Sequence, residues 1–149
     1  MLHPLPRELS LLHGEPGLFP PVLQNVSDAP WGFFTFDATS CQLHPNLPGA
    51  PPARVVFPRT LDGQTRFSSG IEHAGREATG IVFSVEIQRE DGSTVATAEQ
   101  LVSSGDGARL SLVLPALTGR HRIILQTAAE PDCLHVHNAW SRWINPSMS

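Results

Sequence analysis

Apolar and polar residues alternate with a period of two along most of this chain, and that alternation is its first structural signal. In GIVFSVEIQ, Ile81, Phe83, Val85 and Ile87 fall on one face while Ser84, Glu86 and Gln88 fall on the other, as in a half-buried strand. ARLSLVLP turns Leu110, Leu112 and Leu114 inward, HRIILQT does so with Ile123 and Leu125, and ARVVFP with Val55 and Phe57. QTRFSSGIEH alternates more weakly, with Phe67, Ser69 and Ile71 inward and Arg66 and Ser68 outward; STVATAEQ is a half-buried partner strand carrying Val95. WGFFTFDA, from Trp31, has Phe on both faces and is expected to be buried on both sides. Asp62-Gly63, Asp91-Gly92, Gly105-Asp106-Gly107 and Thr118-Gly119 read as the turns between strands. A last strand is predicted over CLHVHNAW, with Leu134, Val136 and Trp140 on the inner face and His135 and His137 on the outer.

Eight or nine short strands separated by turns, with no helical segments between them, predict an all-β antiparallel sandwich. A jelly roll is favoured. The immunoglobulin-like sandwich is the alternative, weakened by the absence of a Cys-Trp-Cys framework. Residues 1–30 contain too much Pro for a helix longer than RELSLLHG and read as an irregular N-terminal arm or linker, leaving 31–149 as the sandwich domain. A length of 149 residues fits one domain with one sizeable core.

The net charge of −4, without any Lys/Arg cluster, argues against nucleic acid as a partner. There is no apolar run of membrane-spanning length and no signal peptide pattern, so the chain reads as soluble, with its compartment left open. Cys41 and Cys133 leave two states open, a disulfide or two free thiols. No G-x-S-x-G elbow is present, and the Gly-rich SSGDGA leads into a strand rather than a phosphate-binding helix. The carboxylates Asp37, Glu72, Glu86, Glu99 and Asp132 show no spacing that would pair two of them for hydrolysis.

Chemistry concentrates in HVHNAWSRWINP, which holds two of the three tryptophans. Sugars offer C–H faces that stack on aromatic rings and hydroxyls that need planar donors and acceptors. Trp31, His137, Asn138, Arg142 and Trp143 are therefore the candidate ligand-binding residues, with Trp31 and Trp143 as platforms and Trp140 assigned to the core. His135 and His137 on one strand face, joined by His44, His73 or Glu72, would begin a metal site.

From Gly80 to Pro146 the chain resembles the NPCBM type of carbohydrate-binding module, one of the galactose-binding-like jelly rolls. GIVFSVEIQREDGSTV looks like that family's strand, hairpin and strand; ARLSLVLPALTGRHRIILQT looks like its paired strands; HNAW and SRWINP look like its closing His and Trp before a short tail. The resemblance implies structural roles for His137 and Trp140 and a module attached to, or working with, a carbohydrate-active enzyme. Val136 and Ala139 stand where the family carries a carboxylate.

The leading expectation is a non-catalytic carbohydrate-binding or glycan-associated accessory module with a saccharide partner, no catalytic residues, no cofactor and no metal. A homo-oligomerisation or protein-interaction domain using Val56, Val113 and Ile124 is the first alternative. A metal-dependent enzyme built on His135 and His137 is the second.

Overall fold

The computed structural model describes residues 8–13, 21–26, 34–47, 49–133, 136 and 138–149. Among these there are nine strands and no helix: β1 (Leu9–Ser10), β2 (Val22–Gln24), β3 (Phe34–Phe36), β4 (Ser40–Leu43), β5 (Ala53–His73), β6 (Ile81–Arg89), β7 (Thr94–Val102), β8 (Gly107–Ala129) and β9 (Ser141–Met148). Every pairing is antiparallel. No helix among the described residues is long and apolar enough to cross a membrane.

The architecture depends on β5 and β8, which pair from Ala53↔Thr127 to Glu72↔Gly107 as one long ribbon. Irregular register between Asp62 and Arg66 interrupts the ribbon midway, and there Leu61↔Gly119 and Asp62↔Thr118 face each other. Gly63 and Gly119 have φ of +113° and +86°, values open to glycine at little strain. Two turn signals set opposite each other bend the ribbon without ending either strand, as bulges do. The sequence-based expectation of separate short strands on each side of Asp62-Gly63 and Thr118-Gly119 is thus corrected.

Folding the ribbon back makes two layers. The first half of β5 and the second half of β8 lie in one with β2, β6 and β7; the other halves lie in the second with β9, β4 and β3, while β1 pairs with the end of β9. The layers meet through Val55, Phe57, Ile81, Phe83, Val85, Ile123 and Leu125 on one side and Cys41, Leu43, Phe67, Ile71 and Trp143 on the other, all buried. Trp143 sits edge-on to Phe83 (5.3 Å, 74°) and to Phe67 (6.5 Å, 68°), a favoured aromatic geometry that ties β9 to both layers. Near one end, the hydroxyls of Thr127 and Ser141 both donate to the Leu43 carbonyl at 2.5 Å, satisfying buried polar groups between the layers. The result is an antiparallel β-sandwich of the jelly-roll type.

Parts of the first 30 residues join the sheet. Leu11 is buried in the core, its N–H donates to the Pro146 carbonyl (3.0 Å), and its own carbonyl accepts from the Arg59 guanidinium (2.5 Å). Cys41 is buried and Cys133 partly buried, and both are free thiols.

The closing segment departs most from expectation. The described residues of 133–140 form no strand, and the last strand begins only at Ser141. Asn138 has φ of +58°, and the backbone turns there, with the Trp140 N–H donating to the Asn138 carbonyl (2.9 Å). A left-handed residue breaks the two-residue repeat, so the side-chain alternation before it does not carry through. Val136 is buried, as the pattern indicated, but Trp140 is 41% exposed and Trp143 fully buried. The expected burial of the two tryptophans is thus reversed.

Candidate functional site

β9 places Ser141 and Trp143 inward, so Arg142 faces outward and Trp140, just before the strand, stands on the same outer side. Register then gathers the neighbours. β4 pairs Cys41 with Trp143, which sets Gln42 beside Arg142 and His44 beside Trp140; the His44 and Trp140 rings meet edge to face at 5.8 Å. On the other flank Glu72 is the direct partner of Arg142, and the Ala74 N–H donates to the Trp140 carbonyl (2.9 Å). Thr35 pairs with Gln42, and Arg109 with Gly70.

The outer face of this layer is therefore an exposed indole followed by a cross-strand row of Thr35, Gln42, Arg142 and Glu72. Gln42, Arg142 and Glu72 are all half-buried. Arg142 has no hydrogen-bond or ion-pair partner among the described residues, and its Nε is shut away from solvent. Arg109 donates to the Ser68 hydroxyl (3.0 Å). The row presents donors and an acceptor in one plane beside an aromatic surface.

The loops behind Trp140 hold it firmly. His73 is fully buried; its Nε2 bonds the Thr79 carbonyl (2.7 Å) and its Nδ1 accepts the Gly75 N–H (3.1 Å), which uses both ring nitrogens. Gly75 passes so close to the 138–140 turn that a Cβ on it would lie 1.7 Å from the Asn138 carbonyl oxygen. The Glu130 carboxylate accepts from the Gly80 N–H (2.9 Å) and the Thr79 hydroxyl (3.1 Å), closing the same loop from its far side.

Burial lowers the His44 pKa below 6.5 and favours the neutral ring, against a smaller opposite effect of its bond to the Pro45 carbonyl (2.8 Å). Asp37 is held below the usual carboxylate range by the N–H groups of Thr39 and Ser40, and Asp91 by the hydroxyl and N–H of Ser93. Both carboxylates serve turns. Burial pushes the Cys41 thiol up to about 12, which leaves it unreactive.

Of the residues singled out from sequence, Arg142 lies on the outer face and Asn138 in the exposed turn leading to it. Trp143 is a correction: with no exposed ring surface it cannot stack a ligand in this fold. Trp31, His135 and His137 lie outside the described residues. His73, with both nitrogens committed, is not free for a metal, and the described residues hold no group of three His, Cys, Asp or Glu suited to one. The apolar face proposed for oligomerisation shrinks as well. Val56 and Ile124 are 4% and 3% exposed, flanked by the Arg54–Glu86 pair at 4.0 Å, and only Val113, at 70%, is open.

Among the described residues, depressions also lie elsewhere. One of about 130 Å³, lined by Asn46, Pro52, Ala129, Glu130 and Asp132, is small for a ligand. A groove of about 620 Å³ at the opposite pole includes Arg89, Glu90, Asp91, Arg120 and His121. Arg120 and Glu90 pair there at 3.6 Å, and the Asp91 carboxylate accepts from the Ser93 N–H (2.8 Å).

Sequence reasoning missed Trp140, Gln42 and His44 as members of one surface. The signal that could have found them is Asn138, a residue type that readily adopts the left-handed conformation and so resets strand parity.

The chain matches no family model and no curated protein sequence. Among solved structures it is similar to a family 4 carbohydrate-binding module, CBM4, with 8% identity, coverage of 87% of this chain and 85% of that one, and a TM-score of 0.58. It is similar to the K3 cleaved adhesin domain of Lys-gingipain from Porphyromonas gingivalis (12% identity, 95% and 97% coverage, TM-score 0.54). A family 29 carbohydrate-binding module aligns at 12% identity, with 97% and 88% coverage and a TM-score of 0.50. The fold is thus that of the carbohydrate-binding-module type of β-sandwich.

Proposed function

We propose that this chain is a non-catalytic carbohydrate-binding module whose ligand lies on the outer face of the β3–β4–β9–β5 layer. The observation that carries the reading is the exposed Trp140 indole at the head of the Gln42, Arg142 and Glu72 row. A pyranose ring stacks its C–H face on the indole, while the fork of Arg142 and the amide of Gln42 donate to ring oxygens or hydroxyls and Glu72 accepts. Asn138, in the turn before Trp140, supplies an edge contact. Similarity of fold to CBM4 and to the family 29 module supports the class of ligand, and the sequence resemblance supports the NPCBM type within it. Work alongside a carbohydrate-active enzyme follows from the same resemblance.

Affinity gel electrophoresis against immobilised polysaccharides, with a glycan array beside it, tests the reading. Retardation that disappears in Trp140→Ala, with an unchanged melting temperature, is the expected result. Absence of binding to every saccharide tried refutes it.

A further inference from the structure

Resting on the carbohydrate-binding reading above, the geometry points to an anionic saccharide, with Arg142 grasping a carboxylate or sulfate of the ligand. The ten cationic side chains of this protein are all arginines, and most of those buried or half-buried have an acceptor. Arg54 pairs with Glu86, Arg122 donates to the carbonyls of Arg89 and Glu90, and Arg59 to those of Leu11 and Pro58. Arg142 stands apart. It is half-buried, its Nε is closed off from solvent, and its cross-strand neighbour Glu72 does not come within 4.0 Å to form an ion pair.

A guanidinium that has lost part of its water and gained no acceptor is poorly satisfied, and what fits its planar fork best is a bidentate oxyanion. A neutral hydroxyl pair fills the same fork without the charge. Arg109, whose described acceptor is a neutral hydroxyl, adds a second positive charge to the same face, about 12 Å away between backbones, two strand spacings across and two residues along. Glu72 is the one carboxylate in the row and limits how much anion the face tolerates; it is left to accept from a ligand hydroxyl. The whole protein carries −4, so attraction of a polyanion to this face is local and not a property of bulk charge.

The test uses paired probes in affinity gels at pH 7: polygalacturonate against its fully methyl-esterified form, and dextran sulfate against dextran. The expected result is retardation by at least one anionic probe, weaker with its neutral counterpart and weakening as NaCl is raised. Arg142→Gln weakens binding about tenfold or more. Glu72→Gln, which keeps an acceptor oxygen and removes the negative charge of the row, tightens binding of the anionic probe relative to its neutral counterpart; an unchanged preference between the two counts against the anionic assignment. Retention by polygalacturonate alone assigns a carboxylate, by dextran sulfate alone a sulfate, and by both an anion of either kind. Equal binding of charged and neutral members of a pair, or an Arg142→Gln variant that binds as well as wild type, overturns the anionic assignment while leaving the carbohydrate-binding reading in place. If neither these probes nor neutral xylan and galactan are bound, both fall. Near-ultraviolet circular dichroism of each variant, which reports the packing of Trp143, shows that a loss of binding is not a loss of fold.

Discussion

Trp140 and Trp143 are three residues apart and do opposite work. Trp143 is fully enclosed between Phe83 and Phe67, and Trp140 lies open against His44 at the edge of the outer face. The same side chain is a staple in one place and a surface in the other, and backbone parity alone decides which. Residue type therefore says little about role in this segment; position relative to the Asn138 turn says nearly everything.

The largest effect that would sharpen this contrast is on stability. Trp143→Ala removes the ring joining the layers and is expected to cost about 3–5 kcal/mol, seen as a lower urea midpoint. A loss under about 1 kcal/mol would show that the ring is not enclosed. Gly75→Ala comes next, because its methyl must displace the Asn138 carbonyl; a destabilisation of about 1–3 kcal/mol is expected, together with weaker saccharide binding as the Trp140 turn shifts.

The pH response of His44 is smaller. Its folded pKa lies below 6.5, so the unfolded chain takes up the proton more readily, and stability contributed by the neutral ring is present above pH 6.5 and lost as pH falls toward the folded value. Melting temperatures of His44→Gln should fall less steeply than wild type across that window; identical slopes would remove His44 as the cause. Trp140→Ala is expected to move stability least, within about 0.5 kcal/mol, while abolishing binding. Thiol titration offers an independent check on the interior: at pH 8 Cys41 should stay unmodified in the native protein and react only after denaturation, since burial holds its pKa at about 12.

Much of the sandwich was legible in the chain. β6 reads directly, because Ile81, Phe83, Val85 and Ile87 alternate without interruption and all four are buried. The inward set Phe67, Ser69 and Ile71 came from a weaker alternation and is buried as well, and the Asp91-Gly92 hairpin joins β6 to β7 where the turn chemistry put it. The long β5/β8 ribbon was not legible, since Asp62-Gly63 and Thr118-Gly119 each signal a turn locally and become a bend only when paired across the sheet. The outer face was least visible. Gln42, Glu72, Arg109 and Arg142 come from four different strands, and interstrand register, which no local pattern encodes, is what sets them side by side.

That register has a practical corollary at the other pole. Leu9 pairs with Met148, and the Ser149 carbonyl accepts from the Thr65 and Arg66 N–H groups, so both terminal strands come to the end of β9 farthest from Trp140. A reporter or tether joined to Ser149 would stand at the opposite end from the indole and leave the outer face turned outward, like a lamp fixed by its base.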